Sequence, residues 1–288
     1  MPDQHNKQNQ TDPSSPFRGR RGLTLYQIDA FTNKLFGGNP AAVVPLTKWL
    51  DDTLMQQLAL ENNLSETVFF VPSKTTGADF DIRWFTPQIE INLCGHATLA
   101  SAYVLFEILG HPTNEIVFSS KSGLLKIKKD ETSSKEFKAF MDFPSLKPER
   151  LDIDTEQISA ILGGIEIVAV YQNRDVLVEL LNEEAVKNCQ PDFGLMKRFT
   201  DKMIITAPGK KVDFVSRFFG PGVGVDKDPV TGSAHSQLIP FWSEKLNQKK
   251  LHALQLSARG GEIWCEQAGE RVLMGGNAVY YMKGEFVV

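Results

Sequence analysis

What the chain has little of narrows its class first. Cysteine is scarce: Cys94, Cys189 and Cys265 are the whole complement, and none forms a CxxC pair. Three thiols cannot build the disulfide framework of a small secreted scaffold, so a reducing cytoplasm is the expected home. Histidine is also scarce, five in 288 residues and scattered, so no metal-ligand spacing is visible and no metal site is expected. Positive charge is not in excess, since 31 Lys and Arg against 35 Asp and Glu leave a net −4. Without a basic stripe to neutralise phosphates, a nucleic-acid surface is not expected. No apolar run reaches the roughly 20 residues needed to cross a bilayer, so no membrane role is expected. The polar stretch 1–21 lacks the apolar core of a signal peptide and reads as a disordered tail. What remains is a globular chain, 42% hydrophobic and 23% charged, long enough to bury two cores.

One long internal repeat organises it. Residues 79–87 (DFDIRWFTP) and 213–221 (DFVSRFFGP) share Asp, Phe, Arg, Phe and Pro at the same five positions. Each copy follows an apolar run that stops at proline, 67–72 and 203–208. Each also precedes a glycine-centred segment, Cys94-Gly95-His96-Ala97 and Thr231-Gly232-Ser233-Ala234. Two copies are too few for a solenoid. They imply a duplication, with two similar lobes facing each other across a cleft.

Alternation and turn signals predict strands at 23–31, 41–44, 66–71 and 80–85, and a helix capped by Asp51 or Asp52 that ends near 62–63. From Ala97 to Leu109 the only charge is Glu107, so this helix must be surrounded by protein, yet it is too short to be transmembrane. A sheet curled around it satisfies both conditions. Its counterpart runs from Ala234 to Leu246, with a kink expected at Pro240. Strands at 124–128 and 137–143 flank a charged turn at 129–136, where the lobe boundary is expected. The first lobe is then 22–130 and the second 136–277, with the final strand, about 278–288, crossing back to the first. The second lobe is expected to hold a helix at 155–162, strands near 165–170 and 175–180, and a helix after Asn182.

Both glycine-centred segments lie where strand-rich sequence gives way to a buried helix. Glycine lets a ligand approach the backbone, and the first helical turn offers unpaired N–H groups at the positive end of the macrodipole. Two such openings in one cleft make a carboxylate site from the backbone near Gly95, Ala97, Gly232 and Ala234, with Ser233 beside them. They also stabilise negative charge developing next to it. Taken singly, Thr231 and Ser233 are better read as N-caps. Glu66 shares a strand face with Val68 and Phe70. If that face is covered, its carboxyl sits in partly apolar surroundings, where such a group titrates higher and can both take and return a proton. Spacing alone favours an exposed Glu at a strand end. His96 opens the first helix and Asp228 stands just before the second. Cys94 at a helix start is a candidate thiolate base. Its counterpart is Thr231, so racemisation between two thiols is not available.

The segments 36–44 (FGGNPAAVV), 63–67 (NLSET), 83–87 (RWFTP), 94–100 (CGHATLA), 228–235 (DPVTGSAH) and 259–261 (RGG) resemble the PhzF-like phenazine-biosynthesis family, within the diaminopimelate epimerase superfamily. The resemblance runs from about residue 23 to the end. It implies an α+β fold of two pseudo-symmetric lobes, each a β-barrel wrapped around a central helix, with the active site between them and a homodimeric assembly. It places the acid/base glutamate on Glu66, a supporting histidine on His96, and an aspartate and a serine on Asp228 and Ser233. Asn39, Cys94 and Thr231 are further candidates. No metal or organic cofactor is implied. The founding activity isomerises trans-2,3-dihydro-3-hydroxyanthranilate by moving a proton between carbons. The expectation is therefore a cofactor-independent isomerase for a small, cyclic, carboxylated substrate. An epimerase using Glu66 or Cys94, and a small-acid binding protein without turnover, are the alternatives.

Overall fold

The computed structural model describes residues 22–132 and 136–288; the stretch read as a tail, 1–21, and part of the charged turn, 133–135, lie outside the described residues. The first lobe comprises β1 (Gly22–Ala30), β2 (Asn39–Pro45), α1 (Asp52–Asn62), β3 (Glu66–Pro72), β4 (Phe80–Phe85), β5 (Glu90–Ile91), α2 (Gly95–Tyr103), β6 (Glu115–Ser120), β7 (Gly123–Lys129) and β8 (Lys138–Pro144). The second comprises β9 (Glu149–Leu151), α3 (Glu156–Ile161), β10 (Ile167–Gln172), β11 (Val176–Leu180), α4 (Glu183–Asn188), α5 (Phe193–Phe199), β12 (Met203–Pro208), β13 (Phe214–Gly220), β14 (Val225–Asp228), α6 (His235–Leu246), β15 (Lys250–Gln255), β16 (Gly261–Ala268) and β17 (Arg271–Val287). Among the described residues no helix is long and apolar enough to cross a membrane.

The two lobes pair their strands in the same sequence of senses. β1–β2 is antiparallel, β2–β3 parallel, β3–β4 antiparallel, β4–β6 parallel, and β6–β7–β8 antiparallel. The run β10–β11–β12–β13–β15–β16–β17 repeats that order. β8 then lies against the first half of β17, and the second half of β17 turns to β1, from Ala278 opposite Ala30 to Val287 opposite Gly22. This closes the first lobe into an eight-stranded ring. β9, which follows β8, does the matching job against β10. β8 thus pairs with β7 of the first lobe and with β17 of the second.

Each ring holds its helix inside. α2 is buried from Gly95 to Ala102 and α6 from His235 to Trp242. A fully buried side chain such as Leu99 contributes roughly 1.5–3 kcal/mol. One continuous apolar core runs through both rings, with smaller clusters under α1 and under α3 to α5. The predicted helix 97–109 is not uniform, because its last turn, Val104–Ile108, widens to π-helix. Pro240 lies inside α6 and has no N–H to give the Ser236 carbonyl. The Leu146 N–H takes that carbonyl instead, at 2.9 Å, and ties the β8–β9 connection to the helix.

The duplicated residues turn out to brace the sheet. The Asp79 N–H donates to the Val117 carbonyl at 2.8 Å, and the Asp79 carboxylate accepts the Val117 N–H at 2.8 Å. Asp213 does the same with His252, its carboxylate accepting the N–H at 2.6 Å. Each aspartate thus fastens the parallel neighbour strand. Arg83 lies over Phe85 and donates to Asp52 at the start of α1; Arg217 lies over Phe219 and donates to carbonyls around the end of α4. Both arginines pin a surface helix to its barrel.

Candidate active site

The helix openings meet across the lobes. A Cβ added to Gly95 would lie 3.2 Å from the Gly232 Cα, so the two backbones touch and neither position has room for a side chain. Each opening is locked from within. The Thr98 hydroxyl donates to the Cys94 carbonyl at 2.6 Å, and His235 Nδ1 lies 3.0 Å from the Thr231 carbonyl. Burial pushes the His235 pKa down to about 4, so its ring is neutral and Nδ1–H is the donor. Neither Cys94 nor Thr231 makes a side-chain cap bond. The N–H groups of Gly95, His96, Gly232 and Ser233 have no backbone partner among the described residues, and these four residues line the cleft. Ala97 and Ala234 do not line it. The Ala234 N–H is already committed to the Thr231 carbonyl at 3.2 Å, because the chain enters α6 through a tight 3₁₀ turn, Gly232–Ala234.

Beside the openings stand three titratable groups. His96 Nε2 lies 2.8 Å from Glu66 Oε2, and neither atom has another hydrogen-bond partner among the described residues. Glu66 is held at the start of β3 with its side chain 12% exposed, on the face that Val68 and Phe70 bury inside the ring. Asp228 ends β14 in the opposite lobe. It accepts from the Asn39 amide at 2.7 Å and from the Thr231 hydroxyl at 2.5 Å. Asn39 bridges the lobes: the same nitrogen donates to the Val230 carbonyl at 3.0 Å and lies 3.1 Å from His96 Nδ1. Thr231 is therefore a partner of the aspartate and not a helix cap.

Burial and neighbouring charges set the protonation states. Burial raises Asp228 to about 6, with Glu66 adding to the rise, while His96, Thr231 and Asn39 pull the other way. For His96, burial disfavours the charged ring, but the Glu66 carboxylate 2.8 Å from Nε2 favours it, and the imidazolium is held well above its ordinary range. Burial, and then the Glu66 charge, push the Cys94 thiol up to about 11. Cys94 is a buried neutral thiol 3.5 Å from His96 Nδ1, not a thiolate. Glu66, Cys94 and His96 also bring one donor atom each within 4.8 Å. However, the sulfur faces Nδ1 and the carboxylate faces Nε2, so the donors do not converge on one metal position through a single ring nitrogen.

Three contributors carried no signal that we read from the sequence. Gln255 accepts the Thr231 N–H at 2.8 Å and donates to the Asp228 carbonyl at 2.9 Å, fixing the loop that carries both residues. Arg174 and Lys202 line the cleft of about 590 Å³ between the lobes. Arg259 was visible only as part of a motif. It donates to the Gly37 and Gly38 carbonyls at 2.8 and 2.9 Å and to Asp29 at 2.8 Å, clamping the turn that delivers Asn39.

The sequence profile of PhzC-PhzF, described as phenazine biosynthesis-like protein, matches residues 28–284. The chain belongs to the PhzC-PhzF family. It is 47% identical over 264 residues to an uncharacterized isomerase of Pseudomonas aeruginosa, covering 91% of this chain and 97% of that one. A PhzF-family phenazine biosynthesis protein of Enterococcus faecalis, solved by crystallography, is 44% identical with a TM-score of 0.87, covering 93% of this chain and 100% of that one. A hydroxyproline epimerase of Agrobacterium vitis shares the fold alone, at 10% identity and a TM-score of 0.63, covering 94% of each chain. The names of its PhzC-PhzF relatives place the family among isomerases.

Of the residues this PhzC-PhzF chain offered as candidates, Glu66, His96, Asp228, Asn39, Cys94, Thr231, Gly95, Gly232 and Ser233 come together at the lobe interface. Ala97 and Ala234 lie behind them, packed into the core.

Proposed function

We propose that this protein is a cofactor-independent isomerase that moves a proton within a small, cyclic, carboxylated substrate. One observation carries the reading: Glu66 and His96 from one lobe face Asp228 from the other beside two abutting helix openings. The substrate carboxylate accepts from the free N–H groups of Gly95, Gly232 and Ser233. The macrodipoles and the imidazolium stabilise the negative charge that develops when a carbon-bound proton leaves. Glu66 removes that proton and returns it at another carbon. His96, 2.8 Å from Glu66, keeps the carboxylate aimed. Asp228, raised to about 6, is the second group able to exchange a proton near neutral pH.

The test is incubation in D₂O with trans-2,3-dihydro-3-hydroxyanthranilate and a panel of cyclic unsaturated acids, followed by proton NMR. A shifted double bond, with or without deuterium incorporation, is the expected result. Deuterium with inverted configuration and no shift marks the epimerase. Absence of exchange and of rearrangement across the panel, with binding intact, would reduce the protein to a small-acid binder.

A further inference from the structure

The duplication extends one residue upstream of its apolar runs. β3 enters its pairing with β4 at Thr67 opposite Phe85, and β12 enters its pairing with β13 at Met203 opposite Phe219. The residue before Thr67 is Glu66, and the residue before Met203 is Lys202. Both line the one cleft and both are half-buried. The two lobes therefore present opposite charges from equivalent positions.

Lys202 is held but not engaged. Its N–H donates to the Thr200 hydroxyl at 3.4 Å, and that hydroxyl donates to its carbonyl at 3.1 Å, which fixes the backbone where α5 gives way to β12. Its ammonium has no hydrogen bond or ion pair among the described residues. The acids lining the cleft are committed elsewhere. Glu66 faces His96; Glu90 takes Arg83 through two bonds of 2.8 Å and Lys121 at 2.6 Å; Asp228 takes Asn39 and Thr231. The other cations there, Arg174 and His96, already have Asp175 and Glu66. An ammonium partly withdrawn from water without a counter-charge is unfavourable, and an anion in the cleft removes that cost.

We infer that Lys202 binds a second carboxylate of the substrate, across the cleft from Glu66, so that the substrate is a dicarboxylic acid. This rests on the helix openings holding the first carboxylate. One group then anchors on backbone N–H donors and the other on Lys202, and the carbon skeleton between them lies over Glu66.

The probes are benzoate and the three benzenedicarboxylates, titrated calorimetrically into wild type, Lys202→Met and Lys202→Arg. Backbone amide NMR shifts are followed in parallel. At least one dicarboxylate should bind wild type roughly 10–100-fold more tightly than benzoate, the range of a charge-assisted contact in a partly buried site. Lys202→Met should lose that margin while benzoate affinity is unchanged, and Lys202→Arg should keep most of it. Failure of every dicarboxylate to outbind benzoate in wild type overturns the assignment. So does a margin that survives in Lys202→Met. The parent reading has its own readout: benzoate must shift the amides of Gly95, His96, Gly232 and Ser233. If those amides stay still while a dicarboxylate still loses its margin in Lys202→Met, the carboxylate site at the openings fails and Lys202 as an anion contact stands.

Discussion

Burial lifts Asp228 from an ordinary 3.8 to about 6, and this couples the site to stability. Below the ordinary value the carboxyl is neutral in both folded and unfolded chains, and its stabilising effect is fully present. Between 3.8 and about 6 the unfolded chain ionises while the folded chain keeps its proton, so stability falls as pH rises through that window. At 1.36 kcal/mol for each pH unit, the loss amounts to about 3 kcal/mol. Asp228→Asn keeps an acceptor for Asn39 and removes the charge. Its stability relative to wild type should rise by up to about 3 kcal/mol between pH 4 and pH 7, read from urea melts. Parallel pH curves for the two proteins would contradict this. Glu66→Gln keeps size and hydrogen bonding but not the exchangeable acid. Turnover should fall by at least ~10²–10⁴-fold, with ligand affinity retained; near-normal turnover would remove Glu66 from the chemistry. Cys94→Ser should keep most activity, because a thiol pushed up to about 11 supplies no base near neutral pH. An equally deep loss there would promote the epimerase reading. The sequence made Glu66, His96 and Asp228 visible through motifs, since residue types that carry chemistry stand out. Gln255 did not stand out, because its bonds are to backbone and hydroxyl groups over 20 residues away in the chain.

The element that decides the site's geometry is the turn between β1 and β2. Phe31 and Phe36 both adopt left-handed backbone, at φ 62° and 67°, a conformation that non-glycine residues take only when their surroundings enforce it. The enforcement is visible: Asp29 accepts the Phe36 N–H, Arg259 grips the Gly37 and Gly38 carbonyls, and Gly260 accepts the Gly38 N–H. Gly38 is left-handed too, and a Cβ there would lie 2.1 Å from the Ala30 carbonyl oxygen. Gly77 has a similar φ of 81° with nothing near a Cβ. Gly77→Ala should therefore cost only the left-handed penalty, about 1–2 kcal/mol. Gly38→Ala should cost clearly more and should also weaken ligand binding by displacing Asn39. Equal losses in thermal melts of the two variants would show that the turn is not held as tightly as its bonds indicate. The glycines of this turn were legible in the sequence; its clamp was not, because Arg259 lies more than 200 residues away. α5 was missed for a different reason: after its Asp192 cap come Phe193 and Gly194 with no acidic residue in the first turn, whereas the shorter α4 opens on Glu183 and Glu184.

At the scale of the whole molecule, β17 decides whether the lobes are separate domains. From the sequence, residues 278–288 read as a final strand that crosses back to the first lobe. Periodicity cannot say which edge a strand joins, because pairing partners leave no mark on a two-residue repeat. In the fold its first half lies between β8 and β16 and its second half completes the ring at β1, while Gly95 and Gly232 press the two helix openings together. One apolar core spans both rings, so neither can open without exposing the other's interior. Unfolding should therefore be a single cooperative transition. Trp84 reports the first ring, and Trp242, stacked on Phe214, reports the second. Variants keeping one or the other as their sole tryptophan should give the same urea midpoint and slope. Deleting 278–288 should uncouple them, lowering the Trp84 midpoint first, because β1 then keeps only β2, from Tyr26 to Ala30, and is left as a long unpaired edge. Two separate midpoints in the full-length chain would mean that the shared strand does not bind the lobes into one unit. The cleft would then owe its geometry to each lobe's own contacts, and Asn39 could not hold Asp228 and His96 in register across the interface.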